Sequence, residues 1–114
     1  MEDRLIELLE SFGYDVIRQG SLGEDEAYPD NLFTYWDNDS HDGNHYDGEA
    51  VSTVYDYDVN FYSNSPANTF DKLREAITLL KSEGFIITGD GYGVTSDEDS
   101  HTGRGVRVLY MKER

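Results

Sequence analysis

From Val51 to Tyr62 the chain alternates for twelve residues between two kinds of side chain. Val51, Thr53, Tyr55, Tyr57, Val59 and Phe61 fall on one side, and Ser52, Asp56, Asp58 and Asn60 on the other. Successive residues of a strand point to opposite faces, so this period predicts a long strand with one buried face and one wet face. Everything else in the chain has to be arranged around the sheet that contains it.

Two amphipathic helices supply the cover. Leu5, Ile6, Leu8, Leu9 and Phe12 recur at helical spacing, with Glu2, Asp3, Glu7 and Glu10 on the other side and Gly13 as the stop. A second helix starts at Ser65-Pro66 or Asn68, buries Phe70, Leu73, Ala76, Ile77 and Leu80, and ends at Gly84. Strands are expected over Tyr14–Gln19, Leu32–Trp36, Phe85–Thr88 (continuing through Tyr92 and Val94 after a glycine-rich kink) and Val106–Met111. Asp37–Glu49 reads as a loop, and Gly20–Asp30 and Ser96–Gly103 as polar turns. The order αβββαββ predicts one α+β domain over residues 1–114, with a mainly antiparallel sheet packed by two helices.

Charge bounds the partners. The 114 residues carry nine basic and 24 acidic groups, a net charge of −15. Between Arg18 and Lys72 there are twelve acidic residues and no lysine or arginine, interleaved with most of the aromatic rings, Tyr35 and Trp36 among them. Rings in such number let an acidic segment fold, where charge alone would leave it disordered. A surface of this sign opposes sequence-specific nucleic-acid binding and anionic membranes, and favours basic proteins, cations or copies of the chain that bring arginine to it. The bland alternative is a solvated acidic surface. Cysteine is absent, which excludes disulfides and thiolate chemistry. No apolar run approaches the roughly 20 residues that span a bilayer, and Met1-Glu2-Asp3-Arg4 opens a helix without a signal-peptide core, so residence in a cytoplasm is expected.

Several motifs invite a chemical reading. Asn38-x-Ser40-x-Asp42-Gly43-x5-Glu49 matches an EF-hand loop at its third, fifth, sixth and twelfth positions, with Asn38 in place of the first aspartate. Strand-like sequence flanks it where helices are required, so it reads as a calcium decoy. His41, His45 and His101 lie in turn sequences and read as loop histidines before metal ligands. Gly89-x-Gly91-x-Gly93 has the glycines of a phosphate cradle but acidic neighbours and no following helix, which favours a strand kink. No nucleophile elbow is present, and no acid/base pair stands out among so many carboxylates. The reading is therefore non-enzymatic, with no cofactor and no metal. Gly103-Arg104-Gly105, with Arg107, is the one concentration of positive charge that a flexible backbone could bring close to another surface; the competing reading is an ordinary hairpin turn.

Three stretches carry a resemblance: Tyr28–Trp36, Tyr57–Ser63 and His101–Gly105. Together they are similar to small tail-assembly proteins of phages and prophages of Gram-positive bacteria, of the tail terminator or tail completion type. The resemblance implies a structural virion protein with an α/β fold. It would assemble as a ring, often a hexamer, made in the host cytoplasm and carried in the virion tail, with other tail or head–tail proteins as partners. On that reading an interface is expected from Arg104, Arg107, Trp36, Tyr35, Asp56 and Asp58, in which the arginine edge of one copy meets the acidic aromatic face of the next. The alternatives are an acidic DNA-mimic inhibitor and a calcium-dependent module using Asn38, Ser40, Asp42 and Glu49.

Overall fold

The computed structural model describes residues 1–19, 28–38, 41–42, 45–46, 49–50, 52–96 and 98–113. Helix α1 spans Glu2–Glu10 and buries Leu5, Leu8 and Leu9, while Glu2 and Asp3 sit in the first turn, where the helix dipole favours negative charge. Gly13 follows at φ +84°, in the left-handed region that the end of a helix demands. Helix α2 spans Pro66–Ser82. The Ser65 hydroxyl caps it by accepting from the Asn68 amide at 3.4 Å. Its far end closes in a Schellman motif, with Phe85 N–H donating to the Leu80 carbonyl and Gly84 N–H to that of Lys81.

The strands are β1 (Asp15–Arg18), β2 (Asn31–Asp37), β3 (His41–Asp42), β4 (His45–Tyr46), β5 (Glu49–Ala50), β6 (Ser52–Ser63), β7 (Tyr92–Val94) and β8 (Thr102–Glu113). The main sheet runs β1-β2-β6-β8-β7, with β3 pairing with the start of β6, and β4 and β5 forming a separate ladder. Among the described residues only β1–β2 is parallel; the other pairings are antiparallel, as expected for an α+β fold. The stretch Asp37–Glu49, expected as a loop, thus contains two two-residue strands and the first residue of a third.

Both helices pack on one face of the sheet. Leu5 and Leu9 from α1, Leu73, Ile77 and Leu80 from α2, and Phe33, Tyr35, Tyr57, Val59, Phe61, Val106 and Val108 from the strands form one buried cluster. Removing each such aliphatic or aromatic side chain from water contributes about 1.5–3 kcal/mol, so this face dominates the fold's stability.

Three expectations need correction. Phe70 is 45 % exposed, and Thr69 takes the buried position instead, its hydroxyl meeting that of Thr102 at 2.8 Å. Phe85–Thr88 makes only one bridge, Ile86 to Leu109, because Gly89 and Gly91 at φ +80° and +95° bend the chain off β8. It rejoins at Tyr92 opposite Gly105, having taken six steps where β8 takes four. The even positions of β6 are not simply wet, since Asp56, Asn60 and Tyr62 are all buried. Asn60 and Tyr62 lie over Gly105 and Gly103, where an added Cβ would fall 2.0 Å from Asn60 Oδ1 and 2.6 Å from Tyr62 Cε1.

Candidate interaction face

The second face of the sheet bears no helix among the described residues, and strand register orders it in rows. Trp36, Asp58 and Arg107 form one row across β2, β6 and β8. On one side lies the row Asp56, Leu109, Ile86, followed by Val54 and Met111. On the other side lie Thr34, Asn60, Gly105 and Tyr92, then Leu32, Tyr62, Gly103 and Val94.

Arg107 stands at the centre. Its Nε donates to Asp56 Oδ1 at 3.0 Å and its Nη2 to Asp56 Oδ2, a two-point grip that fixes the plane of the guanidinium. The partners are unequally placed: the Asp56 side chain is 3 % exposed and that of Arg107 63 % exposed. A buried carboxylate therefore holds an exposed cation upright. Asn38 supports the carboxylate from the other side, donating Nδ2 to Asp56 Oδ1 at 3.3 Å and its backbone N–H to the Asp56 carbonyl at 2.8 Å. Donating these hydrogen bonds to Asp56 raises the Arg107 pKa further, so its charge is permanent. Asp58, beside it, makes no side-chain hydrogen bond or ion pair among the described residues. Tyr92 reaches the same neighbourhood: burial, and then the Asp58 charge, push its hydroxyl pKa up.

The face is also apolar where it is open. Trp36, Ile86, Tyr92 and Met111 are 44–49 % exposed and all belong to its rows; of the large exposed hydrophobics among the described residues only Phe70 lies elsewhere. Trp36 is backed by the Arg18 guanidinium, 5.6 Å from its ring centre. At its far end the face is closed by a clasp, in which Tyr28 packs edge-on against both Tyr62 and His101. His101 Nε2 meets the Pro29 carbonyl at 2.8 Å, which requires the proton on Nε2, and Nδ1 meets Ser100 Oγ at 2.8 Å.

The six residues expected at an interface do not share one surface. Trp36, Asp56, Asp58 and Arg107 lie on the helix-free face, with Asp56 buried beneath Arg107. Tyr35 and Arg104 belong to the helix-covered face. Tyr35 is packed in the core, and burial followed by the nearby Glu2 charge raises its hydroxyl pKa. Arg104 is held within its own chain, donating Nη2 to the carbonyls of Asp90 (3.3 Å) and Gly91 (3.2 Å) with its guanidinium 4.9 Å from the Phe70 ring centre. The Gly89–Gly93 turn thus offers carbonyls to a cation and not N–H groups to a phosphate.

The calcium-like loop is entered from β2 and left through β5 and β6, with no flanking helix, and the Asn38 amide is already turned to Asp56. Ser40 lies outside the described residues, as do the side chains of His41, Asp42, His45 and Glu49. Among the described residues no group of three His, Asp or Glu side chains gathers to hold a metal, and no helix is long and apolar enough to cross a membrane. Sequence reasoning had not marked Ile86, Tyr92 and Met111. The alternation of β8 carries the signal for Met111, but the placement of Ile86 and Tyr92 follows from the glycine bend. No family model matches the chain, and no curated protein matches it.

Proposed function

We propose that this protein is a non-enzymatic structural subunit of a phage or prophage tail. It would be of the terminator, completion or head–tail joining kind, and would act by self-association and by contact with other tail proteins. The observation that carries the reading is the helix-free face, where Trp36, Tyr92, Ile86 and Met111 ring an arginine held rigid by Asp56. Trp, Tyr, Met and Arg are the residues enriched at protein interfaces, and their clustering on one face marks a surface made to be covered. Resemblance supplies the context: assembly in the host cytoplasm, incorporation in the virion tail, and a ring, a hexamer in the usual case. The −15 charge by itself favours a second reading, a DNA mimic. A mimic needs carboxylates where this face centres a guanidinium, so the structural reading is preferred.

Negative-stain microscopy of the purified protein, alone and with tail tubes, tests this. Rings or capped tubes are expected. A protein that stays monomeric at high concentration and ignores tail tubes, yet displaces DNA from a restriction nuclease or repressor, would sink the proposal in favour of mimicry.

A further inference from the structure

We infer that the helix-free face is self-complementary and pairs with the same face of a second copy across a two-fold axis. The inference rests on the self-association reading and adds which surfaces meet and which residues pair. Let the axis run parallel to the strands, midway between β6 and β8, in the plane between two stacked sheets. The operation carries the β6 position of each row over the β8 position of the same row in the partner. Asp58 and Arg107 are such a pair. Asp58 of each copy therefore faces Arg107 of the other, and the contact is made twice.

The charges fit this arrangement. Arg107 spends two donors on Asp56 and has others directed outward, with its side chain 63 % exposed. Asp58 is the carboxylate on this face left without a side-chain partner among the described residues. Stacked sheets lie about 10 Å apart, a gap that an aspartate and an extended arginine fill between them. Within one chain Asp58 cannot displace Asp56, whose carboxylate is buried beneath the guanidinium; a second copy brings its Asp58 from above.

The apolar residues fit the same axis. Trp36 lies one strand outside β6, so the axis sets it over the strip one strand outside β8 in the partner, at the level of Arg107. That is where the chain bends off β8, between the bridge at Ile86 and the pairing at Tyr92. The indole of each copy enters the gap between the partner's Ile86 and Tyr92, two of the side chains left half-exposed in the monomer. Hydrophobic contacts thus flank two central ion pairs on both sides, the arrangement in which water is excluded from charges at an interface. Aligned face-to-face packing of sheets is also the geometry of β-sandwiches. A two-fold contact closes on two copies; a ring of six would then be three such dimers joined through a second surface.

The test is sedimentation equilibrium of the full chain at about 0.15 M salt, where a Debye length of about 8 Å screens the repulsion between two acidic subunits. The parent is compared with Trp36→Ala, Asp58→Arg and, as a control on the outer face of α2, Arg74→Ala, each with its circular dichroism spectrum. The parent and Arg74→Ala should be dimeric or a multiple of two. Trp36→Ala and Asp58→Arg should keep the parent spectrum and weaken association by at least about 100-fold, because each change removes a contact that the two-fold axis makes twice. If the parent associates and both variants associate equally well, the face-to-face pairing is wrong while self-association stands. If the parent is a monomer at every concentration reached, both fall. Should Trp36→Ala lose its native spectrum, Asp58→Arg decides alone, since Asp58 makes no side-chain hydrogen bond or ion pair within its own chain among the described residues.

Discussion

The two faces of one sheet, built from alternate residues of the same strands, solve different problems. On the helix side, β6 presents Tyr57, Val59 and Phe61, which meet Phe33, Val106 and Val108 and are sealed by α1 and α2. Phe61 lies 4.7 Å from Phe33 and 5.5 Å from Tyr14, ring centre to ring centre, in tilted packing that adds to the gain from burial. On the other side, the same strand presents Asp56, Asp58, Asn60 and Tyr62. Their order comes from a carboxylate–guanidinium grip, from glycines opposite and from an aromatic clasp. The first face gains its stability without reference to sequence detail beyond size and polarity. The second is specified residue by residue, and it leaves half-exposed rings and aliphatic side chains at its rim. The lesson is that stability and recognition have been separated onto opposite sides of a layer one strand thick.

The contrast can be broken most forcefully at Phe61. Phe61→Ala should lower unfolding free energy by about 3–5 kcal/mol, the range for a fully buried ring, read as a shift in urea midpoint at unchanged slope. A loss under about 1 kcal/mol would mean that the helix side is not the main source of stability. Gly105→Ala comes next. Its Cβ would collide with Asn60 Oδ1, and overpacking of this kind costs about 1–3 kcal/mol. The double variant with Asn60→Ala should recover most of that loss, whereas a neutral Gly105→Ala would show that the second face is loosely packed.

Ile86→Thr sharpens the difference further. It keeps β-branching and the backbone bridge to Leu109 at a side chain that is half-exposed, so the expected stability loss is under about 1 kcal/mol. Its effect on self-association should be the larger one, the reverse of Phe61→Ala, and equal effects on both readouts would erase the distinction between the faces. The smallest effect is one of pH. Tyr35 has a hydroxyl pKa raised above 10.0 by burial and then by Glu2. A group whose folded pKa is raised contributes stability that is complete below its unfolded pKa and lost as pH rises through the folded one. Thermal midpoints should therefore fall as pH rises beyond about 10, and Tyr35→Phe should flatten that fall. An unchanged slope would assign the alkaline loss to other tyrosines, Tyr92 on the opposite face first.

Of the candidate site, the sequence made legible the parts that depend on alternation. Arg107 on the outward phase of β8, and Asp56 and Asp58 on that of β6, could be set on one face from period alone. Tyr35 and Trp36 were expected together, yet adjacent residues of a strand point apart, and only Trp36 reaches the helix-free face. Arg104, between two glycines, looked free. Its release or capture depends on where the Gly89–Gly91 bend brings its carbonyls, and no local signal states that.

What the sequence by itself determined is the inventory of this protein: two amphipathic helices with their glycine and serine boundaries, a twelve-residue central strand, and a strongly acidic, cysteine-free chain. Those features rest on interactions between near neighbours, which periodicity and capping residues report directly. Tertiary structure alone decided that β1 runs parallel to β2, that Asp56 grips Arg107 from 51 positions away, and that Ile86 and Tyr92 join Trp36 around it. These depend on strand order and register, set by the global packing of helices on one face, and no window of sequence contains both partners.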